Sequence, residues 1–419
     1  MSKIHVVGAG VAGLAAALSL SRDGRPVSLY ESAGHAGGRC RSFHDDTLDR
    51  EIDNGNHLLL SGNTSAAAYR AEIGADDTFV TLSEAAFPFV DLSTGERWTI
   101  RPNAGRVPWW IWIKDRRVPD TRAWDYLSAL RLMRAPPDAT VAQVLGGSGA
   151  LFHRFWEPLA VSVLNTPTPA ACARLLWPVL VETFALGAAA CRPMLAVKGL
   201  SASLVAPTLR TLEGRRVEIR FGQRLQKLET TGNRVTALEF ADNRVAIDAG
   251  DPIVLALPAM VAQRLLPDIP APSRFHPIVN VHFRLDAPPG AKPIPFLGMV
   301  GGTAEWAFIR GDILSVTVSA ADALAECTAD DIAQRTWADA ARAFELPQTA
   351  TPAYRVIKER RATFAQTPES ERQRPGTRTQ FQNLFLAGDW TDTGLPATIE
   401  GAIRSGFAAA DIAKSALNT

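Results

Sequence analysis

The stretch IHVVGAGVAGL, residues 4–14, decides the fold. Ile4 to Val7 is a short, apolar, β-branched run that reads as a buried parallel strand. Gly8-Ala9-Gly10-Val11-Ala12-Gly13 follows at once and fits G-x-G-x-x-G, and Leu14 to Leu20 continues as an Ala/Leu-rich helix. Gly24 stops that helix, and Pro26 to Tyr30 reads as a second strand ending at Glu31. Gly8 permits the tight turn, Gly10 lets the backbone approach a pyrophosphate, and Gly13 lets helix and strand pack closely. The helix N-terminus offers free N–H groups and a positive dipole end to phosphates. Glu31 lies about 20 residues beyond the glycines, where an acid accepts hydrogen bonds from ribose hydroxyls. An acid there disfavours a 2′-phosphate and so disfavours NADP.

Ser32 to Arg39, SAGHAGGR, chooses between dinucleotides. An acid followed by Gly-Gly-Arg resembles the flavin-containing amine oxidase and phytoene desaturase superfamily, where this segment wraps FAD and its arginine approaches the flavin and phosphate region. Here those residues are Gly37, Gly38 and Arg39. Residues 383–406, NLFLAGDWTDTGLPATIEGAIRSG, resemble the C-terminal FAD motif of the same superfamily, with Gly388-Asp389 at a strand end and Pro396 to Ala402 opening a helix. Pro at the start and Thr before Glu suit a helix N-terminus. Between them, Arg216 to Phe221 reads as a strand, and Leu225 matches the position whose backbone holds adenine. The resemblance implies FAD as cofactor. It implies contacts from Gly8, Gly10, Val11, Ala12, Gly13, Glu31, Ser32, Gly37, Gly38, Arg39, Asn54, Gly55, Leu225, Gly388, Asp389, Ala397, Thr398 and Ile399.

The same resemblance implies an α/β and α+β architecture. A Rossmann-like, GR2-type FAD-binding domain (1–75, 198–260 and 380–419) would interleave with a substrate domain (76–197 and 261–379) built on an antiparallel sheet plus helices. Val279 to Leu285 and Ile313 to Ser319 alternate like half-buried strands, and Trp306 to Ile309 is placed to pair with one of them. Ala123 to Met133 and Asp330 to Phe344 read as amphipathic helices.

The segments Ile52-Asp53-Asn54-Gly55-Asn56-His57, Phe155 to Leu159 and Leu164-Asn165-Thr166 narrow the resemblance. With the ending GDWTDTGLPATIEGAIRSG, they resemble the squalene-associated FAD-dependent desaturases, a subgroup now understood as hydroxysqualene dehydroxylases. That implies a long-chain isoprenoid substrate, with hydride from reduced FAD replacing an allylic hydroxyl to give squalene on the route to hopanoids. Val107 to Ile113, VPWWIWI, sets Trp109, Trp110 and Trp112 before Lys114, Arg116 and Arg117. That composition suits a membrane interface and also an ordinary buried strand capped by a charged turn.

Hydroxide leaves poorly, so a proton donor or cation stabilisation is required. His57, Asp53 and Glu400 are the catalytic candidates, with Asp392 behind them. Each has a structural alternative: His57 orienting its loop, Asp53 bracing the turn, Glu400 bonding N–H groups at a helix start. Aromatic faces could stabilise a cation with no acid at all. No second dinucleotide fingerprint is visible, so electrons would come from transiently bound NAD(P)H or a separate reductase. Three rival readings share some of these features: a carotenoid-type desaturase, a flavin amine oxidase, and a non-catalytic isoprenoid carrier.

Across 419 residues, 44 basic and 43 acidic side chains leave a net charge of +1, which argues against a large nucleic-acid footprint. Cys40, Cys172, Cys191 and Cys327 show no C-x-x-C spacing and read as free buried thiols. The seven histidines do not cluster as metal ligands, so no metal is expected. The first strand starts almost at Met1, which leaves no room for a signal peptide. Leu175 to Cys191 is apolar but holds Glu182 and Pro178, and a span needs about 20 apolar residues. A buried helix lining a cavity is expected there, in a cytoplasmic protein that would touch at most the inner face of the cytoplasmic membrane.

Overall fold

The computed structural model describes residues 2–287, 295–347 and 350–417. Two sheets organise it. The first is parallel and five-stranded, in the order Glu218–Arg220, Val27–Tyr30, Ile4–Val7, Ile253–Leu255, Leu384–Leu386. Its three central strands, Val27–Tyr30, Ile4–Val7 and Ile253–Leu255, are buried at every residue, which is why they read as continuous apolar runs rather than as alternation. The helix Val11–Ser21 is buried at all 11 positions. It can be so because the helix Ile399–Ala416 covers it at close range: a Cβ on Gly406 would stand 2.2 Å from the Ala12 carbonyl oxygen.

The second sheet has seven strands, in the order Tyr354–Phe364, Phe275–Arg284, Ile313–Val318, Trp306–Arg310, Phe296–Val300, Phe87–Asp91, Arg97–Ile100. All neighbours are antiparallel except Phe296–Val300 with Phe87–Asp91. Strand alternation gives it two distinct faces. Val279, Val281, Phe283, Leu314 and Val316 pack under the helix Ala329–Ala343 through Ile332, Trp337 and Ala341. Asn280, His282, Ser315 and Thr317 point the other way.

Several expectations are refined or corrected here. The amphipathic helix expected over Ala123 to Met133 is present, as the 3-10 helix Ala123–Arg134. An α-helix drifts about 60° for every three residues, so it would put Ala123 and Leu132 on opposite sides. The 3-10 form keeps Ala123, Tyr126 and Leu132 buried on one line. Trp109–Trp112 is a short 3-10 turn rather than a strand. The apolar run from Leu175 breaks into the helix Ala173–Glu182, with Pro178 inside it, and the short helix Ala188–Cys191. Cys327 is half-buried, whereas Cys40, Cys172 and Cys191 are buried, and all four are free. Among the described residues no helix is long and apolar enough to cross a membrane.

Candidate active site

The glycines of the opening motif separate by function. A Cβ on Gly8 would stand 2.3 Å from the Ala256 carbonyl oxygen, and one on Gly13 would stand 1.8 Å from the Gly8 carbonyl oxygen. Gly8 also has φ +105°, a region that L side chains avoid. At Gly10 a Cβ would meet nothing within 4 Å. That open space lies at the N-terminus of the helix Val11–Ser21, which no side chain caps. An uncapped helix start beside an open glycine fits a phosphate.

The second glycine motif closes over the first. Gly37 donates its N–H to the Ala9 carbonyl at 2.8 Å, and a Cβ on Gly38 would approach Gly10 Cα at 3.4 Å. Glu31 accepts from the Ala9 N–H and the Ala33 N–H, both at 2.8 Å, and from the Ser32 hydroxyl at 3.1 Å. A carboxylate has about four lone-pair sites, so capacity remains for a ribose hydroxyl. The Gln223 N–H reaches the Glu31 carbonyl at 2.7 Å, which brings the start of strand Leu225–Thr231 to the same end of the cradle.

Arg39 joins the two ends of the chain. One guanidinium nitrogen bonds Asp389 Oδ1 at 2.8 Å and the other the Ala362 carbonyl. Asp389, largely buried, holds that guanidinium firmly charged. Gly388 donates to Ser405 Oγ at 2.8 Å. Thr398 caps the last helix by accepting from the Gly401 N–H at 3.1 Å. Ala397 donates to Gln366 Oε1 at 2.9 Å, and Gln366, fully buried, also donates to the Leu164 carbonyl at 2.7 Å. Gln366 thereby ties the Leu164–Thr166 motif to the helix start, a role its sequence context does not announce.

The loop from Asp53 to His57 lies over the polar part of the second sheet. Asn56 Nδ2 donates to Thr317 Oγ1 at 2.9 Å, and Asn280 Nδ2 donates to the Asn54 carbonyl at 3.3 Å. Asn54 also donates to Glu359 at 3.3 Å. A Cβ on Gly55 would press on Asn280 Nδ2 at 3.3 Å. Asp53 is fully engaged: it accepts from Ser42 Oγ at 2.5 Å and the Leu200 N–H at 2.8 Å, and it pairs with Arg310 at 2.6 Å. Glu400 is elsewhere, accepting from the Ser65 and Ala66 N–H groups at 2.9 and 2.8 Å and from Arg404 at 3.2 Å. Asp392 is exposed and shapes a turn by accepting from the Gly394 N–H at 3.0 Å.

His57 differs from these acids. Part of its surface is exposed while neighbouring protein encloses the ring, and among the described residues it forms no hydrogen bond. Crowding by the surrounding protein lowers its pKa; nearby Asp53 opposes that and Arg39 adds to it. His282 lies deeper, its Nδ1 2.7 Å from Ser315 Oγ, with burial pushing it down to about 4. One carboxyl escaped sequence reading. Glu305 accepts from the Ser319 N–H at 2.8 Å, and burial raises it to about 7. No motif marks it, because its environment is assembled from residues far away in sequence.

Farther along the same sheet face the polar side chains give way to rings. Trp306 is paired across from Thr317 and Phe308 across from Ser315. Phe296 lies 6.3 Å from Trp306 and 6.4 Å from Phe308, centroid to centroid, and Phe87 and Phe89 continue the cluster. The Trp306 indole N–H is buried with no acceptor among the described residues.

A glycine cradle for a dinucleotide, locked to a polar-to-aromatic sheet face, defines a nucleotide-cofactor oxidoreductase. The chain belongs to the flavin containing amine oxidoreductase family, which it matches over residues 11–413, and it is a flavin-dependent enzyme. It is 44% identical to a hydroxysqualene dehydroxylase of Sinorhizobium fredii over 416 residues, covering 99% of each chain. It is 44% identical to a hydroxysqualene dehydroxylase of Zymomonas mobilis over 415 residues, covering 99% of this chain and 100% of the relative. A solved cyclohexylamine oxidase from Brevibacterium oxydans superposes with a TM-score of 0.71 at 16% identity over 99% of both chains, which is a likeness of fold.

Proposed function

We propose that the protein is an FAD-dependent hydroxysqualene dehydroxylase that makes squalene for hopanoid-type synthesis. The observation that carries this reading is the sheet face beneath His57. Its polar end, where Asn56, Thr317 and Asn280 bond one another, lies beside the half-buried rings of Trp306 and Phe308, which suit a hydrocarbon tail. The 44% identity to hydroxysqualene dehydroxylases along the whole chain supports the choice of substrate.

The reaction balances as an allylic alcohol plus hydride plus a proton giving the alkene and water. FAD held by the cradle, when reduced, supplies the hydride. The chain's own residues do the rest. The aromatic face grips the tail, excludes water and stabilises positive charge growing on the allylic carbon. His57 is the proton donor to the leaving oxygen, since Asp53 is committed to Arg310 and Glu400 to a helix end. Because its pKa is lowered, the protonated imidazole is scarce at neutral pH and the rate falls as pH rises. Electrons for the flavin would come from transiently bound NAD(P)H or a separate reductase. The FAD-binding segments are 1–75, 198–260 and 380–419, and the enzyme works in the cytoplasm on a substrate dissolved in the cytoplasmic membrane.

The test is anaerobic. The flavin is reduced with dithionite, excess reductant is removed, and hydroxysqualene is added in detergent. Flavin reoxidation matched one for one by squalene is expected. A His57→Gln variant with normal flavin content should be slower by about 10²–10⁴-fold. Flavin that stays reduced overturns the reading, and the oxidised enzyme is then tried on polyenes and amines.

A further inference from the structure

The 3-10 helix Ala123–Arg134 has three stripes, because side chains at i and i+3 eclipse when there are three residues per turn. Ala123, Tyr126, Ala129 and Leu132 face the core. Trp124, Leu127, Leu130 and Met133 all point to solvent, 65, 44, 54 and 52% exposed. Arg122, Asp125, Ser128, Arg131 and Arg134 form the third, polar stripe. The turn Trp109–Trp112 extends the exposed apolar line. Trp112 is 56% exposed and meets Trp124 edge-on with ring centroids 4.9 Å apart. Beneath that pair, buried Trp110 packs edge-on against Tyr126 at 5.2 Å, and Tyr126 Oη accepts the Val118 N–H at 2.9 Å. The inner rings thus fix the outer ones in an outward pose. Of thirteen exposed large hydrophobic side chains among the described residues, eight lie between Val107 and Met133.

The charge around them is one-sided. Residues 101–134 carry eight basic and three acidic side chains, a net of +5, in a chain whose total is +1. Arg116 stacks over exposed Trp109 at 5.1 Å. A cleft of about 620 Å³ opens at the foot of the ridge, between Trp124, Leu127 and Arg131 on one side and Phe152 and Trp156 on the other.

We infer that this ridge is a membrane-docking surface that seats on a bilayer of anionic phospholipids, with its indoles in the headgroup layer and its arginines on the phosphates. An anionic bilayer satisfies the apolar line and the positive rim together. A second copy of the chain would bring the same +5 to the same face, and like charges oppose such a contact. The inference deepens the reaction proposed above and rests on it only for the presence of a lipid substrate, so its test uses no substrate.

Purified flavin-loaded protein is floated with phosphatidylcholine vesicles and with vesicles enriched in phosphatidylglycerol. Binding to the anionic vesicles is expected, weaker by about tenfold on the neutral ones and in high salt. The variant Trp112→Ser/Trp124→Ser/Leu130→Ser should lose binding by about tenfold or more while keeping its flavin and melting temperature. Lys114→Glu, a second and gentler variant, should weaken binding to anionic vesicles alone. The inference is overturned if the wild-type protein ignores anionic vesicles or if both variants float as it does. It is equally overturned if sedimentation finds a dimer that the triple variant abolishes, which would assign the ridge to a second copy. Failure of the reaction proposal is read separately, by flavin reoxidation with detergent-dispersed hydroxysqualene.

Discussion

Two helices of similar length show how differently apolar side chains can be used. Val11–Ser21 is buried at every position, because a parallel sheet lies on one side and a second helix on the other. Ala123–Arg134 buries one stripe and leaves an equally apolar stripe in water. The first derives its position from small residues, since Gly13 and Gly406 admit backbone at contact distance. The second derives it from large rings, with Trp110 and Tyr126 holding it down from one side only. An apolar stripe therefore does not by itself settle whether it faces the core. What covers it does.

The strongest way to break this contrast is in the cradle. Gly13→Ala would set a methyl 1.8 Å from the Gly8 carbonyl oxygen. It should cost about 3 kcal/mol or more and strip the flavin, measured by melting and by absorbance. Gly10→Ala meets no neighbour. It should change stability by less than about 0.5 kcal/mol yet weaken flavin retention, because the methyl occupies the space a phosphate would use. Equal melting temperatures for the two variants would refute the division of labour among the glycines.

The ridge admits a similar pairing with a smaller effect. Leu132 is 2% exposed and Leu130 54%. Leu132→Ala should destabilise by about 2–4 kcal/mol, whereas Leu130→Ala should stay within about 0.5 kcal/mol. The pair that marks the helical form is Ala123 and Leu132, nine residues apart and both buried, because only three residues per turn keeps them on one line. Comparable losses would show that Leu130 is not solvent-facing and would refute the exposed stripe.

Glu305 sharpens the contrast from the side of the mixed sheet. Burial raises it from 4.5 to about 7, so the folded state keeps a proton that the unfolded chain releases. Stability should therefore fall as pH rises across that window. Glu305→Gln retains an acceptor for the Ser319 N–H and removes the penalty. It should stabilise the protein by about 1–3 kcal/mol near pH 8 and by almost nothing near pH 4, read from urea midpoints. A gain that does not depend on pH would show that the carboxyl is not protonated.

The sequence by itself determined the cradle. Strand, glycines, helix, acid and the Gly-Gly-Arg that follows act through backbone geometry within 40 residues, and local chemistry of that kind is written in order along the chain. It also placed strands over Val279 to Leu285 and Ile313 to Ser319, but not their burial: the alternation reads as half-buried, whereas Val279 to Phe283 and Ile313–Val318 are buried at every residue, on both faces. Only the tertiary structure decided the rest. Arg39 meets Asp389 from 350 positions away. Asp53 is claimed by Arg310 and Glu400 by a helix start, while His57 stays unbonded among the described residues. Gln366 and Glu305 matter through neighbours that no spacing reveals. The period-three pattern of Ala123–Arg134 was present in the letters, but two interleaved apolar sets read equally well as one amphipathic α-helix. Burial against Trp110 on one side, with nothing on the other, separates them. Desolvation and long-range contact depend on where the chain folds back, and that is settled by packing rather than by any local run of residues.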